Sequence, residues 1–242
     1  FELTEPINMV GLIESKKGVA NMTAELLNES TKNFSTEDIS KALEILGSDI
    51  SFYSGRTGTT ISVFSLEKNI DKTLEILHEK LLHPGFSKDD FSRIKKDNIQ
   101  SYKDQKKNKS LMASNIFREK LYGDNAYGGY ASEKDIKKIK LKDLKKYYED
   151  CYAPNVSRLT IVSSYDQSEI INKLDVLRNW KEKNIDIPKS FTFPEEGPTQ
   201  IYIYDIPGAT QSAIRIGHRS LKYNYKGDFY KNRIMNYPLG SG

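Results

Sequence analysis

Residues 18–31, GVANMTAELLNEST, decide how this chain is read. Apolar side chains recur there at helical spacing, between a glycine that opens the segment and a threonine that closes it. The segment reads as a core helix.

Working outward, Ser35 followed by Asp38 predicts a capped helix carrying Ile39, Ala42, Leu43 and Leu46, stopped by Gly47. A hairpin comes next, with strands at 50–53 and 59–64 around Gly55-Arg56-Thr57-Gly58. Further helices are expected over about 69–82, ending before Pro84, from near Ser87 past Tyr102, and over about 110–121, 141–148 and 167–181. Residues 157–162 form a β-branched run. Residues 200–206 and 211–216 flank Pro207-Gly208-Ala209 as a second hairpin-like pair, before a helix near 228–237. Helices and strands mix without strict βαβ alternation, so the class expected is α+β.

Between Lys181 and Thr199 the chain is polar, with Pro188, Pro194, Gly197 and Pro198 and no helical period. The expected organisation is a first unit at 1–165, a helix and linker at 166–197, and the start of a second unit at 198–242. The last stretch is too short to hold a core of its own, so this second unit reads as incomplete. The chain begins at Phe1, without Met or a leader-like segment, and is read as a processed or trimmed piece.

With 242 residues, 37% hydrophobic and 29% charged, the chain can build a core under a polar surface. It contains no apolar run long enough to span a membrane. Cys151 is the one cysteine, which excludes an internal disulfide framework and a cysteine zinc cluster; beside Tyr152 it reads as core. Net charge is +4, with a dense basic stretch from Arg93 to Lys109. Only Tyr102 interleaves aromatically, and Asp97 and Asp104 interrupt the charge, so a solvated helix face is expected and no nucleic-acid partner. No phosphate-binding glycine loop and no G-x-S-x-G elbow occurs.

The order of these pieces resembles the insulinase/pitrilysin family of zinc peptidases, which includes the mitochondrial processing peptidases. Gly18 through Thr31 resembles the family's metal-helix segment, and the capped helix with its hairpin resembles the helix and hairpin that come after that segment in the family. Leu81-Leu82-His83-Pro84-Gly85-Phe86 is similar to its L-x-x-P-x-F turn, with Phe91 and Lys95 on the next helix. Leu121-Tyr122-Gly123-Asp124 with Tyr127-Gly128 resembles its Y-G-x-x-x-Y-G loop. Tyr147-Tyr148 and Tyr152-Ala153-Pro154-Asn155 resemble the ending before a strand. Met235-Asn236-Tyr237-Pro238-Leu239-Gly240 resembles the N-x-x-L-G-G segment of a second unit.

The resemblance implies a duplicated α+β unit, each unit a two-layer sandwich of antiparallel-rich sheet with helices on one face, the second truncated here. It also implies two halves that close like a clamshell around a peptide. The family's active half carries H-x-x-E-H, in which two histidines bind zinc and the glutamate activates water. Aligned from Gly18, those positions fall on Asn21, Ala24 and Glu25, so no catalytic, metal or cofactor residue is expected in this chain. Ile94 and Ser101 match the place of the third ligand and are not acidic; Asp97 and Asp104 read as partners for nearby lysines.

His78-Glu79-Lys80-Leu81-Leu82-His83 has one residue too many for H-E-x-x-H. Five residues turn a helix through about 500°, so the imidazoles diverge by roughly 140° and cannot share a metal while the helix stays regular. His83 also precedes Pro84, where the helix should already be ending. His218 stands alone between Gly217 and Arg219.

The expectation is a non-catalytic half or subunit of a zinc metallopeptidase, forming a peptide-binding chamber with a catalytic half that holds the zinc. A non-proteolytic binding or assembly subunit of the same descent is the alternative. A bacterial periplasm or cell envelope is the location implied by the resemblance, with cytoplasm or mitochondrial matrix as alternatives.

Overall fold

Alternation along the predicted hairpin builds the sheet. In the computed structural model, which describes residues 2–4, 16–56, 58–185, 192–195, 197–224 and 227–238, β2 (Asp49–Ser54) pairs antiparallel with β3 (Thr59–Phe64). Ile50 lies opposite Val63 and Phe52 opposite Ile61, and all four are buried. Tyr53 and Phe64, one residue out of phase, are exposed. Gly55 N–H closes the turn onto the Gly58 carbonyl at 2.8 Å; Thr57 of the turn lies outside the described residues. A three-residue strand, β1 (Glu2–Thr4), joins β3 on one side and β4 (Arg158–Thr160) on the other, both antiparallel. The order is β2-β3-β1-β4.

The helix expected from residues 18–31 forms as α1 (Val19–Leu27), packed against β2. Its Met22, Leu26 and Leu27 meet Ile61, Leu74, Leu77 and Leu81 in one core, each at most 2% exposed. Beyond it, α2 (Thr36–Leu46) starts at a Ser35/Asp38 capping box and ends at Gly47 in the left-handed conformation. α3 (Ile70–Leu82) supplies the buried Leu74, Leu77 and Leu81, and α4 (Lys88–Gln105) starts from a Ser87 cap. α5 (Lys109–Tyr122), α6 (Glu133–Lys138) and α7 (Leu141–Cys151) complete the helical cover, with α7 packed on α1. Cys151 is half-buried against the core. Among the described residues no helix is long and apolar enough to cross a membrane.

Several expectations need correction. The helix read over 167–181 is α8 (Gln167–Lys173) continued by a 3-10 turn, Leu174–Leu177. That tightening sets Leu174, Val176, Leu177 and Trp180 against the core. The run 157–162 pairs only at its centre. Residues 200–206 and 211–216 form no strands: alternate positions are exposed alike, Ile201 at 86%, Ile203 at 91% and Ile216 at 93%. A strand pair without a third strand or covering layer has little independent stability. The segment instead lies along α5, where Arg215 donates to Ser114 Oγ (3.1 Å) and Ser110 Oγ (2.7 Å). The predicted last helix is α9 (Asp228–Asn236), with no buried residue. Pro188, Leu239 and Gly240 lie outside the described residues. β1 and α6 were not legible, each being too short to show a period.

The basic stretch is largely satisfied within the chain. Arg93 pairs with Glu29 at 2.7 Å, and Lys95 donates to the carbonyls of Lys137 (2.8 Å) and Ile139 (2.6 Å) at the end of α6. Lys107 pairs with Asp104 at 3.1 Å.

Candidate functional site

Most of α1 is buried: Val19, Ala20, Met22, Thr23, Ala24, Leu26 and Leu27 all face protein. Asn21 and Glu25 are the half-buried exceptions, one turn apart on one face. Asn21 Nδ2 donates to Glu25 Oε1 at 2.7 Å. The other carboxylate oxygen, Oε2, accepts from Asn98 Nδ2 of α4 at 2.5 Å. Asn98 also donates to the Ile94 carbonyl at 3.0 Å. Burial pushes the Glu25 carboxyl above the ordinary carboxylate value; the two amide bonds work against that, and Asp97 and Glu29 add to it.

The structure therefore brings Asn21 and Glu25 together and leaves Ala24 in the core at 1% exposure. The residue that completes the cluster is Asn98 of α4, between Ile94 and Ser101. Ile94 lies one turn before it and is buried; Ser101 lies three residues after it and is exposed. The signal was available in the helical period of α4, since position 98 shares the face of Ile94 that meets α1.

The cluster does not fit zinc. Protein zinc sites draw on imidazole, thiolate and carboxylate donors. Here two amides spend N–H donors on the Glu25 carboxylate, and Ala24 beside it offers only a methyl. No step is assigned to a metal at this position.

The C-terminal end of α1 is tied to the sheet by Asn28. Its Oδ1 accepts the Phe52 amide at 2.8 Å, and its Nδ2 donates to the Phe52 carbonyl at 2.9 Å and the Ala24 carbonyl at 3.2 Å. Lys80, 2% exposed, donates to the Asn28 carbonyl at 2.7 Å, and burial lowers its ammonium to about 8. This end of α1 is built as a joint.

His78 and His83 do not both lie on a regular helix, the condition on which their exclusion rests. α3 ends at Leu82, and His83 leaves helical geometry at φ −126°, ψ 45°. The departure from a regular helix swings its ring back to 5.1 Å from that of His78. His218 remains exposed and contacts only the Arg219 carbonyl among the described hydrogen bonds. Of the loop residues, Tyr122 and Tyr127 meet Phe193 with ring centroids 6.1 and 5.9 Å away.

The chain is 19% identical over 231 residues to the Helicobacter pylori protein "Non-peptidase homolog YmxG", covering 95% of this chain and 53% of the relative. It thus spans about half the length of that curated relative. The peptidase M16 inactive domain from Pseudomonas fluorescens superposes with TM-score 0.72 at 24% identity, over 80% of this chain and 48% of that one. A protease from Helicobacter pylori gives TM-score 0.70 at 20% identity, over 78% and 47%. Pitrilysin gives 0.66 at 14%, over 79% and 21%. Each shares the fold with this chain. The family models for "Insulinase (Peptidase family M16)" and "Peptidase M16 inactive domain" match residues 13–130 and 138–242. With two models of one family side by side along its sequence, the chain belongs to the insulinase (M16) peptidase family.

Proposed function

We propose that this chain is a non-catalytic half or subunit of an insulinase/pitrilysin-type zinc metallopeptidase. It forms a peptide-binding chamber with a catalytic half that carries H-x-x-E-H and the zinc. The carrying observation is the Asn21–Glu25–Asn98 cluster: a hydrogen-bonded joint between α1 and α4 stands where the resemblance puts a metal site. On this reading 1–165 is one α+β unit of the two-layer type, 166–197 a helix and linker, and 198–242 the beginning of its repeat. Closing over an extended peptide, such a half excludes bulk water and folded substrates, and so acts on specificity without performing the chemistry.

A second reading, a binding or assembly subunit with no proteolytic role, is favoured by one observation: the curated relative is called a non-peptidase homolog. The test is to purify the chain in its full natural polypeptide with whatever co-purifies, and to assay chelator-sensitive cleavage of unstructured peptides. Cleavage that requires both this chain and an H-x-x-E-H-bearing segment supports the first reading. Absence of such a segment from the polypeptide and its partners leaves the second. Chelator-sensitive cleavage by this chain alone, abolished by Glu25→Gln, would overturn both.

A further inference from the structure

We propose that His78, Glu79 and His83, at the C-terminal end of α3, form a binding site for a divalent first-row transition ion such as zinc, independent of the Asn21–Glu25–Asn98 cluster. The ligand-capable atoms of the three side chains lie within 4.8 Å of one another. Two of the residues are adjacent on the helix. The third reaches them because the chain leaves helical geometry at His83, just past the end of α3.

Two features go beyond proximity. His83 Nδ1 is a buried nitrogen without a hydrogen-bond partner, and it sits 3.6 Å from Glu79 Oε1. That separation is too long for a hydrogen bond. It is close to the roughly 3.4 Å that two donors about 2.0–2.1 Å from one tetrahedral ion would show. Glu79 is also held in place from its far side, since Oε2 accepts from Asn33 Nδ2 at 2.9 Å. An outer partner that fixes a carboxylate with its second oxygen turned inward is the arrangement metal-binding carboxylates use.

The donor set, two imidazoles and one carboxylate, suits zinc, cobalt, nickel or copper rather than calcium or magnesium. Three protein donors leave a tetrahedral ion one open position. Both histidines line a cavity of about 310 Å³, walled also by Tyr148, Trp180 and Lys183. The Lys183 ammonium lies 5.5 Å over the Tyr148 ring. That cavity has room for water or an anionic ligand beside a cation.

The test is equilibrium dialysis of the chelator-stripped protein against zinc, with cobalt(II) absorption as a report of coordination. The expected result is one equivalent of bound zinc and a cobalt spectrum of a low-coordinate nitrogen–oxygen site. His78→Ala and His83→Ala should each weaken binding about tenfold or more. Glu79→Gln, which retains the shape and an acceptor for Asn33, should also weaken it, while Glu25→Gln and His218→Ala leave it unchanged. Urea unfolding of each variant confirms that the fold survives. No stoichiometric zinc, or binding unaltered in folded His78→Ala and His83→Ala proteins, would overturn the proposal.

Discussion

Asn98 donates its side-chain amide to the Glu25 carboxylate at 2.5 Å, across the contact between α4 and α1. Asn21 donates to the same carboxylate from within α1. One half-buried acid thus holds two amides from two helices. The bond to charge is worth more than a neutral one, and removing either partner would leave the other under-satisfied in a half-buried place. The cluster works as a polar weld between α1 and α4.

The Glu25 weld should be visible in pH-dependent stability. Its carboxyl is raised from 4.5 in the folded state, chiefly by burial. A carboxyl that keeps its proton more readily folded than unfolded favours the native state at low pH. That advantage is lost as pH rises from the unfolded value through the folded one. Glu25→Gln removes the titration while keeping the shape. Urea unfolding from pH 4 to 7 should show the stability of Glu25→Gln improving relative to the parent as pH rises. Parallel profiles for the two proteins would show that Glu25 does not titrate abnormally.

Asn28 should be among the costliest polar side chains to remove. Its amide pairs with both the N–H and the carbonyl of Phe52, acting as a one-residue strand beside the edge strand β2. Asn28→Ala leaves both groups without that partner beside a buried side chain, and unmade buried bonds cost about 1–3 kcal/mol each. A loss on the order of 3 kcal/mol is expected in urea unfolding. Asn28→Asp retains an acceptor for the amide but sets a carboxylate against the Phe52 carbonyl, so it should not restore stability. A loss below about 1 kcal/mol in Asn28→Ala would remove the joint from the account.

The capping box of α2 gives a smaller, local prediction. Ser35 Oγ accepts the Asp38 amide at 3.1 Å, and Asp38 accepts the Ser35 amide at 3.4 Å. Ser35→Ala should cost about 1 kcal/mol, and Ser35→Asn markedly less, because asparagine caps nearly as well. Equal losses in the two variants, measured by thermal or urea unfolding, would show that the cap bond is not what serine contributes.

Caps and periods explain what was legible. Ser35, Ser87 and Gly47 marked helix ends that the structure keeps, and the hairpin read around Gly55 to Gly58 forms with Ile50, Phe52, Ile61 and Val63 on its buried face. Periodicity failed where the partner is distant. Residues 200–216 alternate like strands, yet the alternation has no sheet to join among the described residues. Asn98 escaped because matching a motif by residue type directs attention to acids, whereas the structure selects by helix face. His83 escaped for a related reason. The helical wheel that separates it from His78 stops applying at Leu82, and no wheel describes the turn into Pro84.

Gly18 makes the sharpest steric prediction. It caps α1 at φ 93°, ψ −3°, in the left-handed region. A β-carbon there would stand 2.6 Å from Ile136 Cδ1 and 3.4 Å from the Ala131 β-carbon. Ile136 is 1% exposed, so its side chain has little room to yield. Gly47 provides the control: its φ is 58°, and an added β-carbon would meet Leu66 Cδ1 at an ordinary 3.4 Å. Gly47→Ala should therefore cost only the conformational strain, about 1 kcal/mol. Gly18→Ala adds overpacking of about 1–3 kcal/mol to a similar strain. Unfolding in urea should rank Gly18→Ala as the more damaging of the two. The reverse order would mean that α1 can shift away from Ile136 and Ile139 without loss, and that its junction with α6 is looser than the packing shows.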